Sequence, residues 1–246
     1  MAAFLSGSKG GTGKTTLCTL TAIELSRRSL DVLIIDLGES GNATSLLTRG
    51  VEPPYFTDYL AGKAQWGDTI VEVREHLYLA PTPPDFSLAE AKVLLGSNAA
   101  ALERYSEFLA VMADYVDVVY LDFPAFPFKS YGHLLSPVDT SVLVINPDPL
   151  SFAAALHTYT GSSYVLPVLN KYHPAASYWR DTVEDSFNNV VIIPFDVTLS
   201  FLVKESIFEA ERYLESDTRK ALAELAEKLA RPGGKRVQPY KAPLQH

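Results

Sequence analysis

Two lysines, Lys9 and Lys14, stand five positions apart around a run of glycines in LSGSKGGTGKTTL, residues 5–17. Gly10, Gly11 and Gly13 let the backbone curl until its N–H groups face inward as an anion nest. The helix expected next, from about Thr16 to Arg28, aims its positive end at the same anion. Lys14 then supplies a point charge for the β- and γ-phosphates of a nucleotide, and the Thr15 hydroxyl is placed to ligate Mg²⁺. One lysine is enough to grip phosphates, so Lys9 needs its own account. Either it is a solvated loop lysine, or it does something Lys14 cannot.

The elements that must position these groups read as alternating strands and helices. A short AAFLS run precedes the loop. DVLIID (31–36), HLYLA (76–80), DVVYLD (117–122), TSVLVIN (140–146), YVLPVLN (164–170) and VVIIP (190–194) are apolar runs bounded by turn residues. Amphipathic helices lie between several of them, one with Leu102, Tyr105, Leu109 and Met112 on a single face. The last helix has Ser216 or Asp217 as N-cap, a stripe of Leu222, Leu225, Ala226 and Leu229, and Pro232-Gly233 as its stop. The pattern predicts an α/β fold, a doubly wound, mostly parallel sheet with helices on both faces, binding ligands at the carboxyl ends of its strands. Residues 1–232 form one domain in this reading, and 233–246 a mobile, basic, Pro-rich tail.

Composition narrows the function. At 246 residues with a 47% hydrophobic share, the chain is long enough to bury a full sheet and has no run long enough to span a bilayer. With no signal-like start, a cytoplasmic location is expected. The single cysteine, Cys18, excludes a disulfide framework and a Cys-x-x-Cys metal site, and an inert buried thiol is expected. The five histidines show no ligand spacing. Residues 1–196 carry 12 basic and 22 acidic side chains, a net −10, whereas 197–246 carry 9 and 7, a net +2. Only the C-terminal part offers a polyanion a place to dock.

K-G-G-T-G-K-T-T, with Ser8 where the standard phosphate-loop spacing has glycine, resembles the deviant Walker A loop of the ParA/MinD family of partition and positioning ATPases. The resemblance implies a P-loop NTPase fold. It also implies Mg²⁺-dependent ATP or ADP binding through Lys9, Gly10, Gly11, Thr12, Gly13, Lys14, Thr15 and Thr16. ATP in that family is sandwiched in a homodimer whose signature lysine, here Lys9, reaches the partner's nucleotide, so Lys9 joins Lys14 and Asp36 as a catalytic candidate. IIDLGESGNAT (34–44) resembles the second motif, a strand ending in Asp-x-Asp-Pro-Gln-Gly-Asn. VVYLDFPA (118–125) resembles the Walker B strand. Thr15, Asp36 and Asp122 become the metal candidates, since a strand-end carboxylate beside the loop can hold a magnesium-bound water; the alternative for Asp122 is a strand-terminal turn residue. LNKY (169–172) and IPFD (193–196) fall where relatives hold the adenine, through the Asn170 side chain and the backbone of Pro194, Phe195 and Asp196, although both stretches are also common turn chemistry. TDYLAGK (57–63) and residues 80–95 resemble dimer and partner surface, or ordinary packing.

The chain departs from the family at Gly38, where relatives carry the second Asp that orients the attacking water; Pro-Gln after it becomes Glu39-Ser40. Such groups contribute about 10²- to 10⁴-fold in rate. Glu39 is the candidate substitute, yet a one-residue shift after a strand reverses side-chain direction. The expectation is intact binding with slow or nearly silent hydrolysis. Iron–sulfur relatives need paired cysteines, and MinD-like chains end in an amphipathic membrane helix, which this tail does not resemble, so no membrane partner is expected. ParA-like chains bind DNA nonspecifically through C-terminal basic residues. Arg219, Lys220, Lys235 and Arg236 are the candidates, with a solvated mixed-charge face as the alternative because seven acids are interleaved. A ParB-like activator would be a separate polypeptide. Two outputs remain, an ATP-driven switch for DNA segregation or cargo positioning, and a scaffold that holds nucleotide without cycling.

Overall fold

The computed structural model describes residues 1–125, 132–158, 164–200 and 207–230. In chain order they form β1 (Ala2–Leu5), α1 (Lys14–Arg27), β2 (Val32–Asp36), α2 (Asn42–Leu47), α3 (Phe56–Leu60), β3 (Val71–Arg74), β4 (Leu77–Ala80), α4 (Leu88–Gly96), α5 (Ala99–Tyr115) and β5 (Val118–Asp122). The second half holds β6 (Thr140–Ile145), α6 (Pro149–Leu156), β7 (Tyr164–Tyr172), α7 (Ser177–Ser186), β8 (Val191–Pro194), α8 (Val197–Ser200), α9 (Ile207–Tyr213) and α10 (Ser216–Leu229).

The strands make one eight-stranded sheet in the order β3-β4-β2-β5-β1-β6-β7-β8. All neighbours are parallel except the antiparallel β3–β4 pair at one edge. Continuous apolar runs such as VLIID are what a parallel strand buried on both faces requires. Alternate residues divide the core in two: Leu5, Leu33, Ile35 and Leu121 pack under α3, α4 and α5, while Phe4, Ile34, Tyr120 and Val144 pack under α1 and α10. β1 is central, between β5 and β6. The loop that follows it therefore opens at the middle of the carboxyl edge, with β2 and β5 on one side and β7 and β8 on the other.

The seven strands expected from sequence are present with ends within two residues. β3 was not anticipated; its VEVR alternation is only four residues long and half-buried. α1 begins at Lys14 rather than Thr16, because Gly13, at φ 94°, turns the chain straight into the helix. The cap of α10 is Glu215 rather than Ser216 or Asp217, its amide held by Asp196 Oδ2 at 2.8 Å. The tail 233–246, with Lys235 and Arg236, and the Pro232-Gly233 stop lie outside the described residues. Cys18 is fully buried, and burial pushes its thiol well up from the ordinary value. No helix among the described residues is long and apolar enough to cross a membrane.

Candidate nucleotide site

Ser6, directly after β1, ties the two lysines of the loop together. Its hydroxyl donates to the Lys9 carbonyl at 2.6 Å and accepts from Lys14 Nζ at 2.9 Å. Nothing in its type or spacing singles it out beforehand. Gly13 must be glycine: its φ is left-handed, and a Cβ there would lie 2.4 Å from Asn170 Nδ2. Asn170 in turn donates to the Thr12 carbonyl at 2.7 Å, so the end of β7 braces the loop from the far side. Lys171 adds a second brace, Nζ to the Gly11 carbonyl at 2.8 Å, from a left-handed backbone at φ 57°.

Lys14 is buried in the first turn of α1. Burial lowers its pKa, and the negative charges of Asp122 and then Glu39 oppose that. Thr15 Oγ1 donates to Asp122 Oδ2 at 2.7 Å, a bond to a charged acceptor worth about 1.5–3 kcal/mol. The other Asp122 oxygen, Oδ1, is buried with no hydrogen-bond partner. An orphaned carboxylate oxygen next to a threonine hydroxyl at a phosphate-type loop is the hard oxygen set that Mg²⁺ takes. The residues present fit that ion, with Thr15 and Asp122 as its holders.

Asp36 accepts hydrogen bonds on both of its carboxylate oxygens. Oδ1 accepts from the Gly38 amide at 3.0 Å, and Oδ2 from both the amide and the hydroxyl of Thr44 at 2.8 Å. With its oxygens so engaged, Asp36 organises the 38–44 turn. Burial, and then the neighbouring charge of Asp122, hold it above the usual carboxylate range. Asp122 is raised by burial too, against the Thr15 hydroxyl and Lys14.

Loop, strand ends and turn enclose a cleft of about 530 Å³ at the carboxyl edge of the sheet. Gly10, Gly11, Thr12, Gly13, Lys14, Thr15 and Thr16 line it, as do Asn170, Pro194, Phe195 and Asp196 at the β7–β8 end. The two groups of expected nucleotide contacts are therefore brought together. Lys9 is not among the lining residues. The Asp196 carboxylate is spoken for: burial raises its pKa, but the amides of Glu215 and Thr198 prevail and hold it below the ordinary range.

Glu39, the candidate substitute for the missing Asp, lines the cleft. Strand alternation stops applying at Gly38: the chain is extended there (φ −71°, ψ 150°) and then enters a 3-10 turn over Glu39–Gly41 with Ser40 at φ 62°. On α10, Arg219 and Lys220 are exposed, but Lys220 pairs with Asp217 at 3.1 Å and Lys228 with Glu224 at 3.4 Å.

The family model described as the CobQ/CobB/MinD/ParA nucleotide binding domain matches residues 3–207. The chain belongs to this family. An uncharacterized ATP-binding protein of Methanocaldococcus jannaschii is 31% identical over 154 residues, covering 62% of this chain and 55% of that protein. This chain spans about half the length of the curated relatives it matches first. Among solved structures, the septum site-determining protein MinD of Pyrococcus horikoshii, complexed with Mg-ADP, superposes with a TM-score of 0.72 at 22% identity, covering 92% of this chain and 94% of that one. A ParA family ATPase of Chlorobium tepidum gives 0.72 at 20% identity, covering 93% and 99%. These likenesses confirm the sheet and helix arrangement of a MinD/ParA-type P-loop domain. Within it, Lys14, Thr15 and Asp122 form the contiguous polar core of the site; Ser6, Thr44 and Lys171, which hold the core in place, carry no local sequence signal.

Proposed function

We propose that this ParA/MinD-type domain binds ATP with Mg²⁺, forms a homodimer in the ATP state and hydrolyses ATP slowly, using the cycle to position a cargo or segregate DNA. The observation that carries this reading is the polar core at the loop: Lys14 buried and held by Ser6, Thr15 held by Asp122, and one Asp122 oxygen left for a cation. The solved relative named with Mg-ADP supports the same ligand class. Calorimetry with ATP, with and without Mg²⁺, tests it. Wild-type chain should bind in a Mg²⁺-dependent way and Lys14→Ala should lose at least tenfold in affinity, by removal of a charged contact worth about 1.5–3 kcal/mol. Equal affinity in the two proteins would remove the assignment.

Gly38 favours a second reading, a scaffold that holds nucleotide without turning it over. Single-turnover hydrolysis separates the two, because the scaffold binds ATP and releases it intact.

A further inference from the structure

We propose that Glu39 is the catalytic carboxylate that orients the attacking water in this chain, doing from one residue further on what no side chain at Gly38 can do. The inference rests on the reading of the cleft as an ATP site. Its own support is geometric. Glu39 lines the cleft together with Lys14 and Thr15. The turn that carries it is fixed at three points: the Ser40 amide donates to the Phe86 carbonyl at 2.8 Å, Asn42 Nδ2 donates to the Glu39 carbonyl at 3.0 Å, and Gly41 sits so close to Thr82 that a Cβ would lie 2.3 Å from its carbonyl oxygen. The Glu39 side chain is exposed, and no described residue donates a hydrogen bond to its carboxylate. Its negative charge nevertheless reaches Lys14, the group placed for the terminal phosphates.

A Cβ at Gly38 would lie 3.2 Å from Asp36 Oδ1 and 3.8 Å from Asp122 Oδ2, so Gly38 itself borders both carboxylates. Glu39, one residue further on, is exposed, and its extra methylene gives it reach.

In the step itself, Glu39 accepts a hydrogen bond from the water and aligns it with the γ-phosphorus. The water oxygen bonds to phosphorus, the bond from phosphorus to the β,γ-bridging oxygen breaks, and ADP leaves. The water's protons end on the product phosphate and in solvent, and Glu39 is unchanged.

The test compares wild type, Glu39→Gln and Glu39→Asp in single-turnover hydrolysis of Mg-ATP, with calorimetry of a non-hydrolysable ATP analogue and of ADP. Glu39→Gln should lose roughly 10²-fold or more in the hydrolysis constant, and Glu39→Asp should retain more than Glu39→Gln. Removing a negative charge near the γ-phosphate should favour the analogue over ADP by roughly threefold or more, a readout independent of turnover. Hydrolysis by Glu39→Gln at the wild-type rate would overturn the assignment, as would equal loss of affinity for analogue and ADP, which marks a structural role. Wild type that binds ATP and never hydrolyses it would sink the ATPase reading and this one together. Wild-type turnover untouched by the substitution would sink this one alone.

Discussion

Asp36 and Asp122 are ladder partners at the carboxyl ends of β2 and β5, two fully buried carboxylates side by side in the parallel sheet. Each is pushed above the ordinary carboxylate value, Asp36 by burial and by the charge of Asp122, and Asp122 by burial. Asp122 Oδ1, buried with no hydrogen-bond partner, is the oxygen of the pair left open to a cation.

The sign of the pH effect follows from linkage. A carboxyl with a raised folded pKa binds more protons folded than unfolded, so its contribution to stability is full at low pH and is lost as pH rises through the folded value. Without nucleotide or Mg²⁺, the protein should lose stability between about pH 5 and about pH 8. Asp122→Asn should remove the part of that slope due to Asp122 and to its charge on Asp36, leaving the part due to burial of Asp36, and raise stability at the upper end by about 1 kcal/mol or more, since one pKa unit is about 1.4 kcal/mol. His76, raised by its hydrogen bond to Asp31, acts in the same direction, but it is present in both proteins and cancels in the comparison. Urea unfolding at the two pH values is the measurement. An unchanged slope in Asp122→Asn would show that the pair does not hold the proton.

Lys9 offers a test that separates ligand binding from assembly. Its backbone is pinned to Ser6 through two hydrogen bonds, yet its side chain is not part of the cleft lining. Lys9→Ala should keep ATP affinity within about threefold, the range of a loop charge outside the site. Sedimentation should lose the ATP-dependent dimer. A variant that dimerises as wild type does would leave Lys9 a solvated loop residue.

Gly13 and Asn170 make a backbone test. Gly13→Ala places a methyl 2.4 Å from Asn170 Nδ2 on a left-handed backbone. The expected cost is about 1–3 kcal/mol of stability, the usual range for such strain. Loss of the Asn170 bond to the Thr12 carbonyl should follow, and with it nucleotide affinity. Denaturant midpoints and calorimetry measure both, and a fully stable variant would show that the loop adapts.

What could be read beforehand was what is local. Residues 9–16 declare a phosphate loop because its glycines, lysine and threonines are consecutive, and runs such as VLIID declare buried parallel strands because both faces must be apolar. The supports of the site are long-range and left no such mark: Lys171 meets Gly11 across 160 positions, and Asn170 meets Thr12 across 158. Whether Glu39 reaches the site stayed open for a different reason. Strand alternation was extended past Asp36, whereas the chain has already left the strand and turned at Glu39–Gly41.

The charges of α10 allow a prediction about DNA. Exposed Lys220 is paired with Asp217, and Lys228 with Glu224, so the helix offers a polyanion a face whose cations are already partly neutralised. A phosphate contact that mattered would add about −0.9 to the slope of log affinity against log salt. The pairing argues that Lys220 makes no such contact. The Lys220→Ala variant should therefore bind random duplex within about threefold of wild type at ~50 mM salt, with ATP and Mg²⁺ present, and with the same salt slope. Fluorescence anisotropy across a salt series measures both quantities. A drop of roughly tenfold, together with a slope flatter by about two contacts per dimer, would make α10 the DNA face and show that the ion pairs open on binding. Sequence preference should be absent in either case, because phosphate contacts carry no base information.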